Sequence, residues 1–275
     1  TQHLVELLTD DEALHLLAGL VDCEVADLPV ESRRVIQQCG RLPLAVSLAG
    51  GQIAAGTPWA TLLQAFERHR LEFLADEHRR EPQHVNLWKT IEVSVQVLPA
   101  EEQSRLVELA VFPEDETVPE AAIATLWRHT GKLDDLDTTQ LLLKLKQRSL
   151  IQIKSDETLG STSLGRVSLH DVIRDYCLRR VEKQQSSEAP LHQRLLDAYH
   201  KQCSDGWSTG LHDGYYFQHL VRHLAAREAW PEVEALVTDF RWLMRKSELS
   251  LLDSLFADVT WVAQQGPQET GRRLE

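Results

Sequence analysis

Only four cysteines occur in this chain of 275 residues, and Cys23, Cys39, Cys177 and Cys203 stand far apart. With no Cys-x-x-Cys pair among them, the usual spacing of a structural zinc site is excluded. The expectation is reduced, mostly buried thiols that pack as small hydrophobes. Long apolar runs are also missing. The stretch 42–55 is broken by Ser47, Gly50, Gly51 and Gln52, short of the roughly 18–20 apolar residues a membrane span needs. Positive charge is scarce: 29 Lys and Arg face 42 Asp and Glu, a formal net charge of -13. That balance disfavours a non-specific nucleic-acid surface, which needs clustered cations to neutralise phosphates. There is no Gly-x-x-x-x-Gly-Lys-Ser/Thr phosphate loop. Gly160 and Gly165 have the right separation, but Arg166-Val167 follows where Lys-Ser/Thr is required. No Ser-His-Asp or Cys-His set announces a nucleophile, and no fixed-period repeat marks a solenoid. Thr1-Gln2-His3 has no initiating Met, no basic segment and no signal-type apolar core, so the start reads as a cut through a longer protein.

What is present is ordinary globular composition with strong helical patterning. A hydrophobic share of 43% against 26% charged suits a soluble chain of one large or two to three small domains. Thr9 and Asp10 are positioned to cap a helix carrying Ala13, Leu14, Leu16, Leu17 and Leu20 at helical spacing. Ala26-Asp27-Leu28-Pro29 resets the chain, and a second helix runs to Cys39 with Gly40 as its stop. Pro43 suits the first turn of a third helix, where its missing N–H costs nothing. Ala45, Ala49, Gly50 and Ala54 give that helix a surface another element can approach closely. A fourth helix begins near Pro58, and the charged stretch Asp76 to Glu81 is a linker candidate.

Helices are then expected at Leu87 to Leu98, Pro99 to Leu109, Val118 to His129 and Asp137 to Arg148. The alternating strand Leu150 to Lys154 and the return strand Arg166 to Leu169 form a hairpin ahead of another helix, a winged-helix arrangement. The polar segment Gln184 to Ala189 marks the next boundary. The last third is helical, with Tyr199, Trp207, Tyr215, Tyr216, Phe217, Trp230, Phe240 and Trp242 as aromatic anchors. The expected fold is thus mainly α: a helical bundle at 1–82, a winged-helix domain with a small β-hairpin at 83–184, and a second helical domain at 185–275.

Two short motifs carry the functional reading. Cys39-Gly40-Arg41-Leu42-Pro43-Leu44-Ala45 opens a helix early, and Leu169-His170-Asp171 leaves a strand for a helix much later. Together with Ser94-Val95, Leu126-Trp127, Arg148-Ser149-Leu150-Ile151, Gln218 to Leu224 and Asp239 to Leu243, they occur in an order that resembles the NB-ARC (STAND) signal-transduction ATPases. The likeness is to the region C-terminal to the nucleotide-binding core, in the branch of apoptotic protease-activating factors and bacterial WD-repeat relatives. Leu169 stands where that family commonly has Met, and the phosphate loop is absent.

The resemblance implies a regulatory segment of an ADP/ATP-dependent switch between closed and oligomeric states. Pro43 would pack against adenine and His170 would reach the β-phosphate of ADP, supported by Leu42, Leu44 and Asp171. A rigid apolar proline suits a purine face, and a histidine N–H suits a phosphate oxygen. Implied partners are an upstream nucleotide-binding domain, a downstream sensor propeller and further copies of the activated protein, in the cytoplasm. The chain alone is expected to bind no cofactor, hold no metal and catalyse no reaction.

A second reading makes the chain a winged-helix DNA-binding transcriptional regulator. Helix 137–148 would then enter the major groove with Lys144, Lys146 and Arg148, although Leu141, Leu142, Leu143 and Leu145 give it the look of a core helix. His219 and His223, four residues apart with His212 nearby, have metal-compatible spacing. Without an adjacent acidic or cysteine ligand they read as a pair on a helix surface.

Overall fold

The computed structural model describes residues 7–74, 82–114, 116–155, 165–185 and 187–266. The predicted linker Asp76 to Glu81 and Gly160 of the rejected glycine pair lie outside the described residues. Fourteen α-helices occur among the described residues, with three short strands. The architecture is mainly α, as the periodicity required.

The chain folds as two compact units. The first comprises residues 1–106, 140–152 and 169–176; the second comprises 107–139, 153–168 and 177–275. In the first, α1 (Asp10–Leu20) starts at a capping box. Thr9 Oγ1 accepts from the Glu12 N–H, and the Glu12 carboxylate accepts from the Thr9 N–H at 2.8 Å. Helices α2 (Glu31–Gln38), α3 (Pro43–Ala54) and α4 (Trp59–Leu74) complete a bundle around Leu14, Leu17, Val35, Ile36, Val46, Leu62 and Phe66. Helix α3 is central: Ala45, Val46, Leu48, Ala49, Gly50, Gly51 and Gln52 are all buried. Its small residues matter most at Gly51, where an added Cβ would lie 2.7 Å from the Arg148 carbonyl carbon. Helix α5 (Pro82–Gln96) packs along α3 and α4, and α6 (Ala100–Glu108) follows.

Strand β1 (Val118–Pro119) precedes α7 (Glu120–Thr130) and α8 (Asp135–Gln147). Strands β2 (Gln152–Lys154) and β3 (Arg166–Ser168) supply the expected hairpin, but the sheet has a third member. Its order is β1-β3-β2, with Val118 opposite Val167 and Pro119 opposite Arg166 in an antiparallel pair. A two-residue strand ending in proline leaves no alternation to read, and proline is tolerated there because β1 is an edge strand. Leucines 141, 142 and 145 are buried on α8, whereas Leu143 is 45% exposed. The expectation that all four are core is corrected at Leu143: at 100° per residue it turns away from the face its neighbours share.

Helix α9 (Asp171–Gln185) leads to the array α10 (Ala189–His200), α11 (Tyr216–Ala226), α12 (Trp230–Thr238), α13 (Phe240–Glu248) and α14 (Leu252–Gln265). Rings fill this part of the second unit. Trp242 is fully buried, with ring centres of Phe217 and Tyr216 at 4.9 and 5.9 Å. Tyr199, Tyr215, Tyr216, Phe217 and Trp242 are anchors as expected, while Trp207 and Trp230 are half-buried. Phe240 is not an anchor; it is 72% exposed at the start of α13.

No disulfide joins any of the four cysteines. Cys39 and Cys177 are buried and Cys23 and Cys203 half-buried, so the expected burial holds for two of the four. No described helix is long and apolar enough to cross a membrane.

Candidate functional site

The first motif folds as a tight reversal between two helices. Cys39 closes α2, and Gly40 and Arg41 then take left-handed backbone conformations, with φ of 63° and 55°. Glycine adopts that region freely, but an arginine there is uncommon. Backbone bonds hold the pair: the Gly40 N–H donates to the Gln37 carbonyl at 3.1 Å, and the Leu8 N–H donates to the Arg41 carbonyl at 3.0 Å. The Cys39 thiol donates to the Ala45 carbonyl at 3.4 Å, and burial pushes its pKa up to about 12, so it is an inert packing group. Leu42, 9% exposed, occupies the N-cap position of α3 without a capping side chain. Pro43 takes N1, the position its missing N–H favours. Pro43 and Leu44 are both half-buried, presenting partial apolar faces at the helix start.

The second motif sits at another helix start in the same unit. His170 holds the cap position ahead of α9, and its carbonyl accepts the Arg174 N–H at 2.9 Å. Its Nδ1 faces two groups, the Val172 N–H at 3.3 Å and the Asp171 carboxylate. Asp171 Oδ1 also accepts from the Val172 N–H at 2.6 Å. The carboxylate thus lies beside the Nδ1 edge of the ring. When Nδ1 accepts from Val172, the neutral ring carries its proton on Nε2; when Nδ1 donates to Asp171, Nε2 is free to accept a second proton. The His170 side chain is 39% exposed.

Polar contacts that the sequence did not reveal tie these helices together. Fully buried Gln52 of α3 donates to the Ser94 carbonyl of α5 at 3.4 Å and accepts from Arg148 Nη1. Burial lowers the Arg148 pKa, opposed by the charge of Glu102. Among the described residues, Arg148 Nε and Ser94 Oγ have no hydrogen-bond partner, so this network is incompletely satisfied there. Lys144 forms an ion pair with Glu102 at 2.7 Å. On α5, Lys89 Nζ donates to Gln38 Oε1 at 2.8 Å, and Glu92 accepts from the Tyr176 hydroxyl of α9 at 2.7 Å. A lysine and a glutamine inside apolar helices are the faint sequence signals of this arrangement.

The second unit corrects the reading of the histidines. His223 is 3% exposed, not on a surface. Its Nε2 meets the Tyr215 hydroxyl at 2.7 Å and its Nδ1 meets His192 Nδ1 at 2.8 Å. His219 stacks on Tyr215 with ring centres 4.1 Å apart. Burial holds the His223 pKa well below its ordinary value, and burial together with nearby Arg166 and Arg222 lowers His219 to about 4. The ring stripe of α11 turns His223 into the core as a polar core group, while His219 is half-buried at its edge. Among the described residues no group of three or more His, Cys, Asp or Glu side chains is placed to hold a metal ion.

The sequence is similar to those of known proteins. Residues 189–265 match the APAF-1 helical domain family. Apoptotic protease-activating factor 1 of Rattus norvegicus is 24% identical over 244 residues, covering 87% of this chain and 18% of that protein. Disease resistance protein ADR1 of Arabidopsis thaliana is 24% identical over 189 residues, covering 65% of this chain and 23% of its own length. Regulatory protein AfsR of Streptomyces griseus is 30% identical over 209 residues, 72% of this chain and 19% of that protein. The chain therefore spans about a fifth of the length of these relatives. These likenesses relate it to a regulatory, C-terminal region of the NB-ARC (STAND) signalling proteins, with residues 189–265 the counterpart of the APAF-1 helical domain.

Proposed function

We propose that this chain is the regulatory part of a nucleotide-dependent switch, acting with an upstream ATPase core to hold ADP in a closed state. Pro43 covers adenine, with Leu42 and Leu44 shaping the apolar wall. His170 donates to the β-phosphate while Asp171 fixes its ring. Exchange for a triphosphate removes the contacts that favour closure and frees surfaces for self-association. The boundaries at 82/83 and 184/185 divide bundle, winged helix and arm, and the arm relays partner binding from a downstream propeller. The setting is cytoplasmic.

One observation carries this reading: Pro43 and His170, 127 positions apart in sequence, occupy the starts of two helices in one compact unit, each half-buried. Histidine-to-phosphate bonding is charge-assisted and contributes roughly 1.5–3 kcal/mol, enough to shift a closed–open equilibrium by roughly tenfold or more. The DNA-reading alternative is weakened by the same structure, because Lys144 is paired with Glu102 and Arg148 donates to Gln52.

Sedimentation of the intact protein with ADP tests the proposal. His170→Leu is expected to raise spontaneous assembly, and Pro43→Ala to act in the same direction more weakly. Parent-like monomer content in His170→Leu overturns it. This chain alone is expected to release no phosphate from ATP; release above a buffer control that a substitution in this chain abolishes would contradict that.

A further inference from the structure

We propose that α5 is a strut that couples the Pro43 turn to the His170 helix, with Lys89 and Tyr176 as positioning residues at its two contacts. The inference deepens the switch reading above and rests on it for its significance, although the coupling itself is a property of this chain.

At 3.6 residues per turn, Asn86, Lys89, Thr90 and Val93 share one face of α5, and Trp88 and Glu92 lie on the opposite one. The contacts follow that division. On the first face, Lys89 Nζ bonds Gln38 Oε1 at 2.8 Å, immediately before the Cys39-Gly40-Arg41 reversal. A Cβ added to Gly40 would meet Asn86 Nδ2 at 2.8 Å, so this side chain lies directly against the turn. Thr90 is fully buried on this face and donates to the Asn86 carbonyl at 2.8 Å, and Val93 belongs to the bundle core. On the opposite face, Glu92 accepts the Tyr176 hydroxyl at 2.7 Å, and the Trp88 and Tyr176 rings lie 5.8 Å apart. Tyr176 is on α9, less than two turns from His170.

Lys89 is 3% exposed and Tyr176 is 3% exposed. A buried ammonium costs free energy unless its bonds are kept, so Lys89 ties the α2–α3 turn to α5 strongly and directionally. The Tyr176 hydroxyl does the same for α9. Because one rigid helix carries both attachments, a displacement at either motif is felt at the other. Coupling of this kind is reciprocal: each side must influence the other by the same factor. It is carried by a physically continuous element, not by proximity alone.

Native-state hydrogen exchange of the full chain without nucleotide tests this. Tyr176→Phe keeps the ring on Trp88 and removes only the bond to Glu92. It is expected to speed exchange at the Val172 and Arg174 amides about fivefold to tenfold, the size of one modest hydrogen bond. It is also expected to speed exchange at Gly40, Arg41 and Leu42, across the strut. Lys89→Met should act in reverse, loosening its own turn and, by a comparable coupling factor, the α9 start. Glu92→Gln, which keeps a hydrogen-bonding side chain opposite the tyrosine, should retain most of the remote protection. The Ala13 and Val21 amides of α1 should be unchanged. Loss confined to the substituted side, or equal loss at Ala13 and Val21, overturns the strut. Since no nucleotide is present, failure here is distinct from failure of the switch reading, which the ADP assay on His170 tests separately.

Discussion

The two units are packed by opposite means. In the first, α3 meets its neighbours through glycine and alanine, so close to the Arg148 backbone that one Cβ at Gly51 has no room. In the second, Tyr199, Tyr215, Tyr216, Phe217 and Trp242 fill the space between α10, α11 and α13 with rings. Their polar groups differ in the same way. Gln52 and Arg148 join segments distant in sequence through a single bond between side chains, whereas His192, His223 and Tyr215 make a continuous chain of hydrogen bonds. Small-residue packing fixes how closely helices approach, and aromatic packing supplies burial energy. The first unit is therefore vulnerable to added volume and the second to removed volume. In the switch we propose, fixed spacing would suit the unit that carries Pro43 and His170, and stiffness would suit the arm.

The largest expected effect breaks the comparison from the second side. Trp242→Ala removes a fully buried ring and should cost about 3–5 kcal/mol. Denaturant unfolding followed by a probe in α13 should show it, and a loss near zero would mean that the rings do not support the arm. Gly51→Ala attacks the first side by addition. Overpacking against backbone should cost about 1–3 kcal/mol, visible as a lower midpoint in the first unit. A neutral result would show that the α3 contact is looser than its geometry.

Acid should separate the units further. His219 titrates near 4 in the folded chain and His223 lies well below its ordinary value, while an unfolded histidine titrates near 6.5. Both folded pKa values are depressed, so the unfolded chain binds more protons between those limits. Their stabilisation is present above about pH 6.5 and is lost progressively as pH falls toward about 4. Thermal midpoints should therefore drop between pH 7.5 and 5, and His219→Phe, which keeps a ring over Tyr215, should flatten the slope. An unchanged slope would contradict the assignment. The smallest effect belongs to Lys144→Gln, which removes a partly exposed ion pair with Glu102 and should cost less than about 1 kcal/mol.

Local signals in the sequence were legible where chemistry is local. The cap at Thr9, the Gly40 stop and Pro43 at N1 depend on neighbours within one turn. The strand Val118–Pro119 was not legible, since two residues carry no period. Neither was the Gln52–Arg148 contact, which joins positions 96 apart through a close fit of helices. Leu143 and Phe240 show the converse: apolar residues at helical spacing were assigned to a core that the helix rotation denies them. His223 was misplaced because a histidine pair at i, i+4 looks the same whether its stripe faces solvent or a cluster of rings. Of the candidate site, the residues and their helix-start positions came from the motifs, while the strut between them required the fold.

The most direct test of the central claim is the rate at which ADP leaves the intact switch protein. His170→Leu removes the proposed phosphate donor while leaving the Asp171 bond to the Val172 N–H in place. Losing a charge-assisted hydrogen bond of roughly 1.5–3 kcal/mol should speed ADP release about tenfold to a hundredfold. Release at the parent rate would contradict the claim and leave His170 as a helix-capping residue alone.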